Sequence, residues 1–203
     1  MSMHARPVAV GPSARHARRL GGSRGNELLT SINAGVLLVL IGIQLITVLA
    51  LESMIRVHLF VGVVLLGPVV LKLGSTGYRF LRYYTGAREY REKGPPTKFL
   101  RALAPIFVAA TIGLFASGVI MLANGGGEGA ARGVHVASFW VWIACLAIHV
   151  LSNARQVLGN LHSARVRIAG AELRTLLVLS SILGGVMVAL AVISKITGYE
   201  MGD

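Results

Sequence analysis

HVASFWVWIACLAIH, residues 135–149, is an almost wholly apolar stretch with a histidine at each end and no formally charged residue between them. On an α-helix, fourteen residues advance about 21 Å and close to within about 40° of four full turns. His135 and His149 therefore share one face at opposite ends of one helix. They cannot hold a single metal ion together, because each ring nitrogen would have to lie about 2 Å from it. The two imidazoles act at two separate levels.

That helix is one of five. The chain has 203 residues, 54% hydrophobic and only 14% charged, with a mean hydropathy of +0.69, which is outside the range of an ordinary soluble domain. Long stretches with few or no formal charges run over Ile32–Leu51, Val57–Leu71, Ala102–Asn124, Gly133–Ala154 and Thr175–Ser194. A bilayer core takes about 20 apolar residues as helix, roughly 17 to 25. Only the second stretch is short, unless it continues past Lys72 and that side chain snorkels. The fold class expected is all-α, an integral membrane bundle of five transmembrane helices near 27–51, 54–78, 100–123, 133–156 and 174–196. Together they make one domain over 27–197, after a basic, disordered tail at 1–26 that is rich in Gly, Ser, Pro and Arg.

The net charge of +12 raises nucleic acid as a partner, but topology accounts for where the charge lies. Of the 20 Lys and Arg residues, all but Arg56, Arg132 and Lys195 fall in the tail, in the segment from Lys72 to Arg101, or in the cluster Arg155, Arg165, Arg167 and Arg174. Five alternating spans put these three regions on one side, which the positive-inside rule makes cytoplasmic. The N-terminus is then inside and the C-terminus outside, and no nucleic-acid-binding face is required. Arg18–Arg19 resembles a twin-arginine signal, but the apolar run that follows is long and reads as a retained span. Cys145 is the only cysteine, which excludes an intrachain disulfide and a cysteine-rich metal centre.

Between the second and third spans lies YRFLRYYTGAREYREKGPPTKFLR, residues 78–101. Its aromatic and basic spacing extends the second helix into a cytoplasmic basic and aromatic loop, residues 79–99. Gly94-Pro95-Pro96 is expected to end it, since proline disfavours a helical residue before it and lacks an amide donor. Such a segment suits the lipid headgroups or a cytoplasmic partner. The fifth helix has no charge from Thr175 to Ser194 and reads as a packing element. His4 and His16 lie in the tail and His162 in a loop, without structural signal.

Ionisable residues inside transmembrane segments are costly and mark functional sites. The second and fourth helices run in the same direction, and His58 and His135 both lie near their outer ends. Two imidazoles on facing helices at one level can bind an iron from opposite sides of a porphyrin. Arg56 and Arg132, just outside them, stand where anionic propionates need cations. Fourteen residues inward, His135 leads to His149 and His58 leads to Lys72. Lys72 either snorkels beside Arg79 and Arg82 or, as the neutral amine, serves as a ligand or charge partner for an inner group.

His58, His135 and His149, with the fourteen-residue step inside one helix, resemble the dihaem four-helix bundle of the cytochrome b family. The likeness covers roughly residues 27–158 and extends to bacterial cytochrome b561 and the hydrogenase-type b cytochromes. It implies that the first four helices form a haem-binding bundle. One haem b would lie between His58 and His135, and a second at His149 with Lys72 opposite. Gly35 or Gly42, with Gly113 or Gly118, would make room for the rings. Lys72 departs from the pattern, which has histidine there. The function implied is a membrane electron-transfer subunit of an oxidoreductase, multi-pass in the cell membrane (the bacterial inner membrane), working between a quinone pool and a partner redox protein. With no glycine fingerprint for a nucleotide after a strand, any flavin or nicotinamide domain belongs to another subunit. Two other readings stand beside it, a small transporter and a cofactor-free membrane anchor or scaffold.

Overall fold

The computed structural model describes residues 22–92, 94, 98–126, 129–163 and 170–199. The tail to residue 21 with His4 and His16, together with Pro95, Pro96, Arg165 and Arg167, lies outside the described residues, as do the side chains of Arg155 and His162. Seven helices occur among them: α1 Gly22–Leu49, α2 Leu51–Tyr84, α3 Arg88–Glu92, α4 Lys98–Asn124, α5 Gly129–Ser163, α6 Ala171–Ala191 and α7 Ile193–Thr197. Five of them, all but the short α3 and α7, are long and apolar enough to cross a membrane. The chain is an all-helical, multi-pass membrane protein. Side chains such as Val39, Leu49, Trp140 and Leu151 stand exposed on its outer faces, a surface that is costly in water and ordinary in lipid.

Two hairpins form the frame. α1 and α2 pair as one antiparallel hairpin that turns at Ala50, and α4, ending at Asn124, pairs with α5, starting at Gly129, as the other; both hairpins fold at the same end of the bundle, called here the hairpin end. The hairpins meet mainly through α1 and α5, which leaves α2 and α4 apart over much of their length. α6 packs on the far side of α2. There a Cβ added at Gly67 would collide with the Ser181 carbonyl oxygen, and one at Gly185 with that of Val64. Pro68 has no N–H to offer the Val64 carbonyl four residues back, and Gly185 presses its backbone against that freed oxygen. Small residues at both contact points allow the helices to close to backbone distance.

Helix ends differ from the expected ones in informative ways. α1 starts at Gly22, so residues 22–26 are helical instead of belonging to the tail. The second span runs unbroken to Tyr84 and stops before Gly94. Its stop is Gly86, at φ +85°. The Ala87 amide donates to the Arg82 carbonyl at 3.0 Å and that of Gly86 to Tyr83 at 3.3 Å, the paired bonds of a glycine-terminated helix. The chain then folds back as α3. Tyr90 is buried with its ring edge-on to Tyr78, centroids 6.1 Å apart, and Glu89 accepts from the Ser23 amide at 3.3 Å, placing a carboxylate at the N-terminus of α1.

Candidate functional site

A cavity of about 730 Å³ opens between the two hairpins in the half of the bundle near the hairpin end. Its walls are chiefly aliphatic, from Ile41, Leu59, Leu65 and Leu114 among others, with Phe115, Phe139 and Trp142. His58 comes to it from α2 and His135 from α5. The rings are close enough for a charge on one to be felt by the other.

Each ring is held by a hydroxyl from the helix beside it. Thr47, fully buried on α1, donates from Oγ1 to the Gln44 carbonyl at 2.6 Å and lies 2.9 Å from His58 Nδ1. A threonine hydroxyl has one proton, and the carbonyl takes it. That leaves Oγ1 able to accept from a His58 Nδ1–H, and the Gln44 amide nitrogen lies 3.1 Å from the same Nδ1. The same arrangement recurs on the other wall. Ser117 Oγ donates to the Gly113 carbonyl at 2.6 Å and sits 3.2 Å from His135 Nδ1. Each Nδ1 thus has within reach a hydroxyl that can accept from an Nδ1–H and leave the electron pair on Nε2. Fixing one nitrogen so that the other can bind a metal is the usual task of such outer partners.

The Gln44 side chain lies against His58. Its Nε2 donates to the His58 carbonyl at 3.1 Å and is 3.2 Å from His58 Nε2. Its Oε1 is buried without a partner, an arrangement that costs about 1–3 kcal/mol wherever it occurs. Gly118 gives the His135 ring its room, since a Cβ there would lie 3.3 Å from Cε1. Gly62 and Gly118 line the cavity, whereas Gly35, Gly42 and Gly113 do not. Gly35 and Gly42 face open space, and Gly113 packs on Ser138.

At the mouth stand Arg132, Glu52 and Tyr199. Arg56 is exposed on α2 and does not line the cavity. Tyr199 is brought there by α7, which turns back after α6. Burial raises the Tyr199 phenol above its ordinary value, against the opposing pull of Arg132, so it stands as a neutral O–H donor.

Toward the other end of the bundle, Lys72 Nζ donates to the Thr30 carbonyl at 3.2 Å, beside a polar seam in which Asn33 Nδ2 donates to the Pro68 carbonyl at 2.8 Å. The His149 ring lies 5.6 Å from that of Phe107, near enough to Lys72 to feel its charge. Neither lines the cavity. Of the six residues singled out by sequence, His58, His135 and Arg132 come together there. Gln44 and Tyr199 line it with them, while Thr47 and Ser117 touch the two rings; Gln44 carried a signal as a polar residue within an apolar run, and Ser117 as one of the small residues of its helix. Among the described residues no three His, Cys, Asp or Glu side chains converge on one point. Two imidazoles alone suit a metal that brings its other ligands with it. Compared with known proteins, the chain matches no family model, no curated protein and no solved structure.

Proposed function

We propose that this chain is a b-type cytochrome subunit of a membrane oxidoreductase, passing electrons between a quinone pool and a partner redox protein. The observation that carries the reading is the pair of imidazoles on opposite walls of one apolar cavity, each with a hydroxyl beside its Nδ1. The hairpin end is the outer one in this reading, with the basic loops and the N-terminus in the cytoplasm. The membrane in this reading is the cell membrane, the bacterial inner membrane by the family likeness.

The residues present fit a haem b. The volume falls within the roughly 300–1,000 Å³ of ligand pockets, Gly62 and Gly118 keep bulk out of the walls, and the one basic side chain of the lining, Arg132, sits at the rim. Gln44 is the one obstruction; its Oε1 has no partner, and a haem at His58 would displace its Nε2 from the ring. His58 and His135 would hold the haem iron, and a bound haem would supply reversible one-electron transfer. Thr47 and Ser117 hold a proton on each Nδ1, which aims the ring and strengthens Nε2 as a donor. Arg132 offsets anionic charge at the mouth. The aliphatic walls exclude water and favour the less charged state of the centre. A second group at His149 and Lys72 is not required by this reading.

The test is a reduced-minus-oxidised visible spectrum of the chain purified in detergent from cells supplied with haem precursor, with the haem-to-protein ratio. A b-type band at a ratio near one, lost in His58→Ala and in His135→Ala, is the expected result. Absence of any band under those conditions overturns the proposal in favour of a cofactor-free membrane scaffold.

A further inference from the structure

The C-terminal turn is held in place more firmly than a trailing end would be. α6 stops at Ala191, the chain turns at Val192, and α7 runs only from Ile193 to Thr197. Ile196 is 2% exposed and Tyr199 8% exposed, and both pack into one apolar cluster with Val63, Val64, Leu122 and Ala189. Burial of two large side chains at about 1.5–3 kcal/mol each anchors the turn. Its consequence is to bring a tyrosine to the wall of the cavity, beside Arg132.

Arg132 stands at the same mouth, close enough for its charge to act on the Tyr199 oxygen. A guanidinium with five N–H donors and a neutral phenol O–H from a different element are both complementary to a carboxylate. Glu52 lies on the same rim and repels an anion, which directs a carboxylate toward Arg132 and Tyr199. We infer that Tyr199 and Arg132 form a clamp for the carboxylate groups of a flat apolar ligand, so that the C-terminal turn is part of the binding site. This rests on the cavity being a porphyrin site, as proposed above.

The experiment compares iron protoporphyrin IX with its dimethyl ester, which keeps the ring and the iron but has no carboxylates. Both are titrated into the apo-protein in detergent, native, Tyr199→Phe and Arg132→Gln, and affinity is read from the shift of the porphyrin absorbance. Tyr199→Phe keeps the ring that packs the turn and removes only the donor. The clamp predicts a loss of about tenfold in affinity for the free acid, ~1.4 kcal/mol, in each variant, with little change for the ester. An equal loss for both porphyrins assigns Tyr199 to packing alone and overturns the clamp, as does unchanged affinity for the acid. Failure of the native chain to bind either porphyrin overturns the cofactor reading itself, and with it the clamp.

Discussion

Thr47 Oγ1 lies 2.9 Å from His58 Nδ1, with its own proton given to the Gln44 carbonyl at 2.6 Å. The hydroxyl's place on its own helix thus puts an acceptor beside a histidine of the next. Ser117 does the same for His135 from α4.

Replacing either hydroxyl leaves a buried N–H without its acceptor and frees the ring to turn. Thr47→Val and Ser117→Ala are each expected to weaken haem binding by roughly tenfold or more, in the range typical of lost outer partners. Both are also expected to raise the midpoint potential, since a ring without its Nδ1 bond donates less charge to the metal. Thr47→Ser keeps the acceptor and is expected to restore both. Equilibrium haem titration and a redox titration of each variant check this; a change in affinity with no change in potential would leave Thr47 a packing role only.

The spans and the two levels were legible because each depends on one helix alone. A run of about 20 apolar residues is a span, and a fourteen-residue step is a fixed rotation and rise. His58, His135 and Arg132 followed from that. Thr47 and Ser117 did not, since each acts on a ring of a neighbouring helix, and nothing within one helix states the register between two. Gly86 as the stop was not legible, because a left-handed glycine end depends on the carbonyls behind it, whereas Pro95 and Pro96 break a helix by themselves. Tyr199 was hidden for a different reason: after an apolar run, a short tail with Ile196 looks like more of the same helix.

The crossing of α2 and α6 depends on two glycines whose Cβ positions are filled by backbone oxygens of the other helix. Those oxygens cannot move without moving the helix. Gly67→Ala and Gly185→Ala are therefore expected to destabilise the bundle by about 1–3 kcal/mol each, the usual cost of overpacking. Gly184, next in sequence to Gly185, faces open space, and Gly184→Ala is expected to stay within about 0.5 kcal/mol. Thermal unfolding of the three variants in detergent, without ligand, checks the contrast.

Tyr90 links the basic end to alkaline stability. Its phenol is raised above the ordinary value by burial first and by Tyr78, with Arg82 opposing, Glu89 adding and Arg79 opposing. A raised phenol means that the folded state keeps its proton where the unfolded state, near pH 10, has lost it. Above that pH the unfolded state binds fewer protons, so stability falls as pH rises until the folded group also ionises. The native chain is expected to lose stability more steeply above pH 10 than Tyr90→Phe, which has no proton to lose. Unfolding midpoints of the two proteins from pH 8 to 11 give the comparison, and parallel curves would remove Tyr90 from the account.

The separation of levels gives a last expectation. His149 is about 21 Å along α5 from His135 by helix geometry, and Lys72 stands the same fourteen residues from His58, its amine held by the Thr30 carbonyl. Neither lines the cavity, so neither is needed for a ligand held by His58 and His135. Lys72→Met and His149→Ala are expected to keep the reduced b-type band and a haem-to-protein ratio near one, while His58→Ala and His135→Ala lose both. A native ratio near two that falls to one in Lys72→Met or His149→Ala would instead make that end of the bundle a second site. Lys72 would then stand as a ligand in place of the histidine that the family pattern has there.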